Sequence, residues 1–187
     1  LFWGAATPGT ILAGLPLLVL GTTLHVWAKG CLWQNRQVSR SGPYRYVRHP
    51  FYLANALIDA ALAVMSGWWL LQLVLPVWWL AIYWPVMRRK EAFLLSAFGA
   101  IYRDYQRRIP RLIPCRRPLP RDGQGFSWRH PNLTQGREIP RALRILGTPL
   151  LFWLGYKLRT GGSLLGTSGA VWGLFAGLVA IYGLAWW

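Results

Sequence analysis

The stretch SGPYRYVRHPFYLANALIDA, residues 41–60, passes without a linker from a basic, aromatic half into an apolar one. Pro50 suits the first turn of a helix, where its missing N–H would have had no partner. A helix is therefore expected to open there, with Arg48 and His49 at its N-terminus. Helix N-termini favour anions, so this pair suits a carboxylate or a phosphate. Beyond it, Tyr52, Asn55 and Asp59 fall at i, i+3 and i+7, a polar stripe on one face of an otherwise apolar segment. Polar groups at membrane depth are costly to leave alone, so such a stripe usually lines a cavity or pairs internally.

Composition points the same way. Of 187 residues 54% are hydrophobic and 13 are tryptophan, more apolar surface than a domain of this size needs in water. The formal net charge of +16 would suggest a nucleic-acid partner if the cations were spread over one face. Instead all 21 Lys and Arg follow residue 28 and gather in 29–48, 88–121 and 129–144, with Lys157 and Arg159 beyond. Positive charge confined to short loops between apolar spans is what membrane orientation produces on the cytoplasmic side, so no nucleic-acid partner is expected. Cys31 and Cys115 form neither a disulfide framework nor a metal-ligand spacing, and read as free thiols on the reducing side. No basic leader precedes the first apolar run, so no cleavable signal peptide is expected.

Residues 9–28 are long enough for one crossing. The apolar run 51–87 reads as two short spans, 51–66 and 68–87, a helical hairpin turning at MSGWW, which also supplies an aromatic interface belt. In 88–108, Glu91, Leu95, Phe98, Tyr102 and Tyr105 fall within roughly 40° of a common line at helical spacing, so a cytoplasmic amphipathic helix is expected. Residues 107–125, rich in Pro and Arg, read as an extended cytoplasmic connection, and 116–140 as the linker that follows the core. A second apolar pair, about 142–156 and 165–187, closes the chain in 141–187. In it Gly169, Gly173 and Gly177 form a small-residue ridge for the preceding helix or a second chain. The fold expected is all-α: a polytopic membrane bundle of about five spans, with the site on its cytoplasmic side.

Two motifs in order, GPYRYVRHPFYLANALI and KEAFLLSAFGAIYRDYQRRIPRLIP, with the hairpin between them, resemble the superfamily of isoprenylcysteine carboxyl methyltransferases and phospholipid N-methyltransferases. Its members carry Arg-His-Pro-x-Tyr-x-Gly and, downstream, a Glu-Glu pair opening a helix that runs into Phe-Gly-x-x-Tyr-x-x-Tyr. The resemblance covers about 14–114. It implies a 1–115 methyltransferase core using S-adenosylmethionine, with the cofactor motif on Tyr44, Arg48, His49, Pro50 and Tyr52. Ala54 stands where the family usually has Gly, and Lys90 where the first Glu is expected, leaving Glu91 as the acid.

On this resemblance Arg48 and His49 suit the cofactor's carboxylate, and Glu91 its ammonium or ribose hydroxyls. Tyr44, Tyr52 and Tyr102 offer ring faces to the sulfonium or adenine. Asn55 on the stripe is a further candidate for the same ligand. The acceptor would be lipophilic, a prenylcysteine carboxylate or a phospholipid amine entering from the bilayer. A proton-bearing acceptor needs a base, for which Asp59 and His25 are candidates. His25 alone reads as a helix-packing residue, and the second RHP, at 129–131, as coincidence. Two other classes fit the same fold: a membrane subunit that keeps it without activity, and a nicotinamide-using sterol-reductase-like enzyme.

Overall fold

The structure, a computed structural model, describes residues 6–33, 36–114, 117–120, 125–135 and 138–161. Among these residues it is all-helical: α1 (Pro8–Lys29), a 3-10 turn (Gly42–Arg45), α2 (Pro50–Ser66), α3 (Trp69–Arg108), the single-turn α4 (Pro131–Thr134) and α5 (Glu138–Arg159). The last expected span and its glycines at 169, 173 and 177, like Cys115, lie outside the described residues.

α1 starts where Thr7 and Thr10 cap each other, the Thr10 N–H donating to Thr7 Oγ1 at 3.2 Å and the Thr7 N–H to Thr10 Oγ1 at 2.9 Å. Its 22 residues rise about 33 Å, enough to cross hydrocarbon. α2 returns alongside it at very close range. A Cβ on Gly14 would meet Met65 Cγ at 2.5 Å, and one on Gly21 would meet Ile58 Cγ1 at 2.8 Å and the Ala54 carbonyl at 2.9 Å. Small residues on one helix admit the backbone of the other, which is how helices gain contact where lipid supplies no hydrophobic drive. Ala54 is fully buried in this seam, its carbonyl against Gly21 of α1.

The hairpin turn falls at the expected place. Gly67 takes φ +70°, a left-handed conformation open to glycine, and α3 begins two residues later. α3 then spans 40 residues with a break at Gly99, and the part before the break rises about 45 Å, longer than a bilayer requires. Its first half is apolar and outward-facing, with Trp69 70% and Val77 71% exposed. In water such a stripe would be a liability, whereas in lipid it is a solvent-matched surface. Helices α1 and α3 are both long and apolar enough to cross a membrane.

Two expected boundaries move. No break separates 68–87 from 88–108, because Met87, Arg88, Arg89, Lys90, Glu91 and Ala92 are all good helix formers. The break comes instead at Gly99 (φ +53°, ψ −123°), and the piece beyond it folds Tyr102, Tyr105 and Ile109 against Val38, Leu95 and Phe98. The expected linker holds α4, and α5 opens at Glu138, with Pro140 in a first turn that lacks N–H partners anyway. His130 caps α4, its Nδ1 accepting from the Asn132 N–H, so the second RHP opens a helical turn of its own.

Ile145 and Phe152 of α5 pack on the α1–α2 core formed by Leu18, Ile58, Ala61 and Met65. A polar cluster ties down its N-terminus. Glu138 pairs with Lys29 at 2.9 Å and with His25 Nδ1 at 3.3 Å, while Arg141 reaches His25 Nε2 at 2.7 Å and Asn55 Oδ1 at 3.4 Å.

Candidate functional site

The chain enters α2 through the 3-10 turn, Arg48 and the N-cap residue His49. Backbone N–H groups here have no helical acceptor and must find one elsewhere. The Arg48 N–H donates to the Pro110 carbonyl at 2.8 Å and the His49 N–H to the Arg111 carbonyl at 3.2 Å. The segment after α3 is thereby strapped across the start of α2, and the Tyr105 hydroxyl adds a bond to the Tyr44 carbonyl at 2.8 Å.

The strap gathers charge around one acid. Glu91, 4% exposed, accepts from His49 Nε2 at 2.8 Å, from Arg111 Nε at 3.0 Å and Nη2 at 2.7 Å, and from Gln106 Nε2 at 3.3 Å. Arg48 Nη1 stands 3.2 Å away. Burial alone would raise the Glu91 pKa. The hydrogen bonds from His49 and Arg111 and the charge of Arg48 outweigh it and hold the carboxyl at about 2. At His49 burial wins instead: it lowers the pKa below the ordinary histidine value and the bond to Glu91 does not restore it, which favours the neutral ring. Tyr102, pushed up to about 12 by burial and then by Glu91, stays a phenol. The Arg111 guanidinium lies 4.4 Å from the Trp84 ring centroid, which fixes its other face.

Above this network lies a partly open cavity of about 70 Å³. Tyr44, Arg48, His49, Pro50, Tyr52 and Tyr102, all singled out from the sequence, line it. Lys90 lines it too, and Leu32, Trp33, Phe51 and Leu94 give it an apolar wall. Two of the lining residues carry buried donors without a hydrogen-bond partner, Arg48 at Nε and Tyr44 at its hydroxyl, while Arg48 Nη1 faces Glu91 as an ion pair. Buried donors of this kind are costly unless a ligand supplies the acceptor, and a carboxylate fits the set.

Other sequence candidates lie apart from the cavity. Glu91 does not line it and acts through His49 and Arg48, its oxygens already engaged. Asn55 is held by Arg141, and His25 sits in the α5 cluster, edge-on to Phe51 at 4.8 Å. Asp59 lines a second, nearly apolar cavity between α2 and α3, beside Trp79, whose buried Nε1 has no partner. An aromatic ladder links the two cavities: His49 to Tyr52 at 5.5 Å, Tyr52 to Tyr83 at 5.3 Å and Tyr83 to Trp79 at 4.7 Å. Sequence reasoning missed Arg111, which lies beyond the helix break in a Pro- and Arg-rich stretch. A pairing demand from the lone acid at 91 was the available signal. It also missed Tyr83.

The phospholipid methyltransferase family model matches residues 9–101, which span both motifs and the hairpin. The cobalt-zinc-cadmium resistance protein CzcN of Cupriavidus metallidurans is 33% identical over 108 residues, 54% of this chain and 49% of that protein. Methanethiol S-methyltransferase 2 of Bradyrhizobium diazoefficiens is 34% identical over 71 residues, 38% of this chain and 26% of that protein. The match thus spans about half the length of the first relative and about a quarter of the second. No solved structure matches this chain. With the Arg48-His49-Pro50 entry and Glu91 joined in one network and the family match running across both, the chain belongs to the superfamily of isoprenylcysteine and phospholipid methyltransferases.

Proposed function

We propose that this chain is a multi-pass membrane methyltransferase that uses S-adenosylmethionine and modifies a lipophilic acceptor, with its basic loops and the cavity at the start of α2 on the cytoplasmic side. The observation that carries this reading is the buried, unpartnered Nε of Arg48 and hydroxyl of Tyr44 lining an aromatic cavity at a helix N-terminus. S-adenosylmethionine, when bound, supplies an electrophilic methyl group on a sulfonium. Arg48 and Tyr44 would hold its carboxylate, and the faces of Tyr52 and Tyr102 suit its cationic and aromatic parts. The chain's task is then to hold a nucleophile in line and exclude water, with no covalent intermediate on the protein. The gap between α2 and α3, lined by the aromatic ladder and the second cavity, gives the acceptor a path from the bilayer.

The test is methyl transfer by the purified chain in lipid nanodiscs, with methyl-labelled cofactor and three acceptors in separate reactions: a long-chain thiol, a prenylated cysteine and phosphatidylethanolamine. Label in at least one is expected. No transfer to any of them, together with no saturable binding of S-adenosylhomocysteine, overturns the proposal.

A further inference from the structure

Among the described residues lining the cavity, His49 is the one imidazole, and the charged side chains beside it are cationic. Glu91 is ionised and can only accept, so its 2.8 Å contact with His49 Nε2 places the ring proton on Nε2. A neutral imidazole protonated there carries a lone pair at Nδ1. Among the described residues no hydrogen bond reaches Nδ1, and the His49 side chain does not cap α2. A carboxylate finds no donor at this nitrogen, whereas a proton-bearing nucleophile finds an acceptor. Around it, Arg48 and Lys90 line the cavity and, among the described residues, no carboxylate does.

We propose that His49 takes the proton of the methyl acceptor, that Glu91 is the positioning residue for His49, and that the acceptor is a thiol whose anion Lys90 stabilises. The assignment rests on the methyltransferase reading above and names its substrate class. An ammonium headgroup would add a positive charge to a cavity that already holds two cations and receives a sulfonium. A carboxylate is already an anion and leaves Nδ1 unused. A thiol is weakly acidic, so a neutral imidazole beside a cation suffices to ionise it.

The atoms balance. The S–H bond breaks, its proton passing to Nδ1 and its electron pair staying on sulfur. That sulfur bonds to the methyl carbon as the carbon–sulfonium bond breaks, whose pair leaves with the departing thioether. The proton on His49 then goes to solvent. The charged and titratable groups facing His49 are Glu91 and Lys90 from α3, Arg48 beside it, Arg111 through Glu91, Tyr52 from α2 and Tyr102 beyond the helix break.

His49→Gln keeps a donor for Glu91 and removes the base. Methylation of a long-chain alkanethiol should fall about 100-fold or more, and the pH inflection of kcat should disappear. That fall should exceed any fall in S-adenosylhomocysteine affinity, measured in parallel, by at least tenfold. Nitrogen-15 histidine spectra of the native chain give a readout free of turnover, since it has three histidines. His49 should be the neutral Nε2–H tautomer at pH 7, and Glu91→Gln should mix the tautomers and lower the kcat inflection. A protonated Nδ1 at pH 7, or a thiol rate in His49→Gln within tenfold of native with the inflection retained, overturns the base assignment while the methyltransferase reading stands. Methylation of phosphatidylethanolamine but of no thiol overturns the substrate class. If S-adenosylhomocysteine does not bind the native chain, both readings fall together.

Discussion

Replacing Glu91 by glutamine keeps the volume of the side chain and removes the charge that holds the site together. In the native network the carboxylate takes hydrogen bonds from His49, Arg111 and Gln106 and faces Arg48, whose side chain is 9% exposed. A depression of the Glu91 pKa from 4.5 to about 2 corresponds to about 3 kcal/mol of native stability at neutral pH. Solvent reaches Arg111, 25% exposed, which brings the figure nearer 2 kcal/mol. Leaving Arg48 buried without its counter-charge adds to the loss, and breaking a buried pair commonly costs about 3–5 kcal/mol. Glu91→Gln should therefore destabilise the chain by about 2–4 kcal/mol at pH 7, measured by reversible denaturant unfolding in bicelles.

The pH dependence has a definite sign. The folded pKa of Glu91 is depressed, so its contribution is complete above 4.5 and lost as the pH falls towards about 2. The gap between native and variant should close over that window. His49, also depressed, withdraws stability from the native chain as the pH falls below its ordinary 6.5. A variant within about 0.5 kcal/mol of native at pH 7, or a gap that does not change between pH 5 and pH 2, would refute the view of Glu91 as the keystone.

Three further outcomes follow from the same geometry. Arg111→Ala removes two hydrogen bonds from Glu91, so the Glu91 pKa should rise in a carboxyl titration and affinity for S-adenosylhomocysteine should drop by about tenfold. Gly21→Leu places a side chain where a Cβ already meets Ile58 at 2.8 Å, and should destabilise the α1–α2 pair by about 3 kcal/mol or more in the same unfolding assay. Gly99→Ala meets no neighbouring atom, so only the strain at φ +53° acts: a loss of about 1–3 kcal/mol, with faster hydrogen exchange at the Arg48 and His49 amides as the strap loosens.

Much of the fold was legible because its signals are local. Pro50 opens α2 and Gly67 closes it; Thr7 and Pro8 start α1, and each acts within a few residues of where it stands. The site was legible to the extent that two ordered motifs carry it: His49 and Glu91, 42 residues apart, share a hydrogen bond. What escaped depends on geometry that no spacing encodes. Glycine at 99 is compatible with an unbroken helix, so the turn that returns Arg111 to Glu91 left no periodic mark. Likewise His25 and Asn55, read as candidates for chemistry, meet Arg141, 116 and 86 residues away, once α5 docks on α1 and α2.

The central claim is that the entry to α2 forms one pocket for a sulfonium nucleotide, and equilibrium binding of S-adenosylhomocysteine to the purified chain tests it most directly. Saturable binding, weakened tenfold or more by Arg48→Met (about 1.4 kcal/mol), is the predicted result. No saturable binding, or native affinity in Arg48→Met, would contradict it.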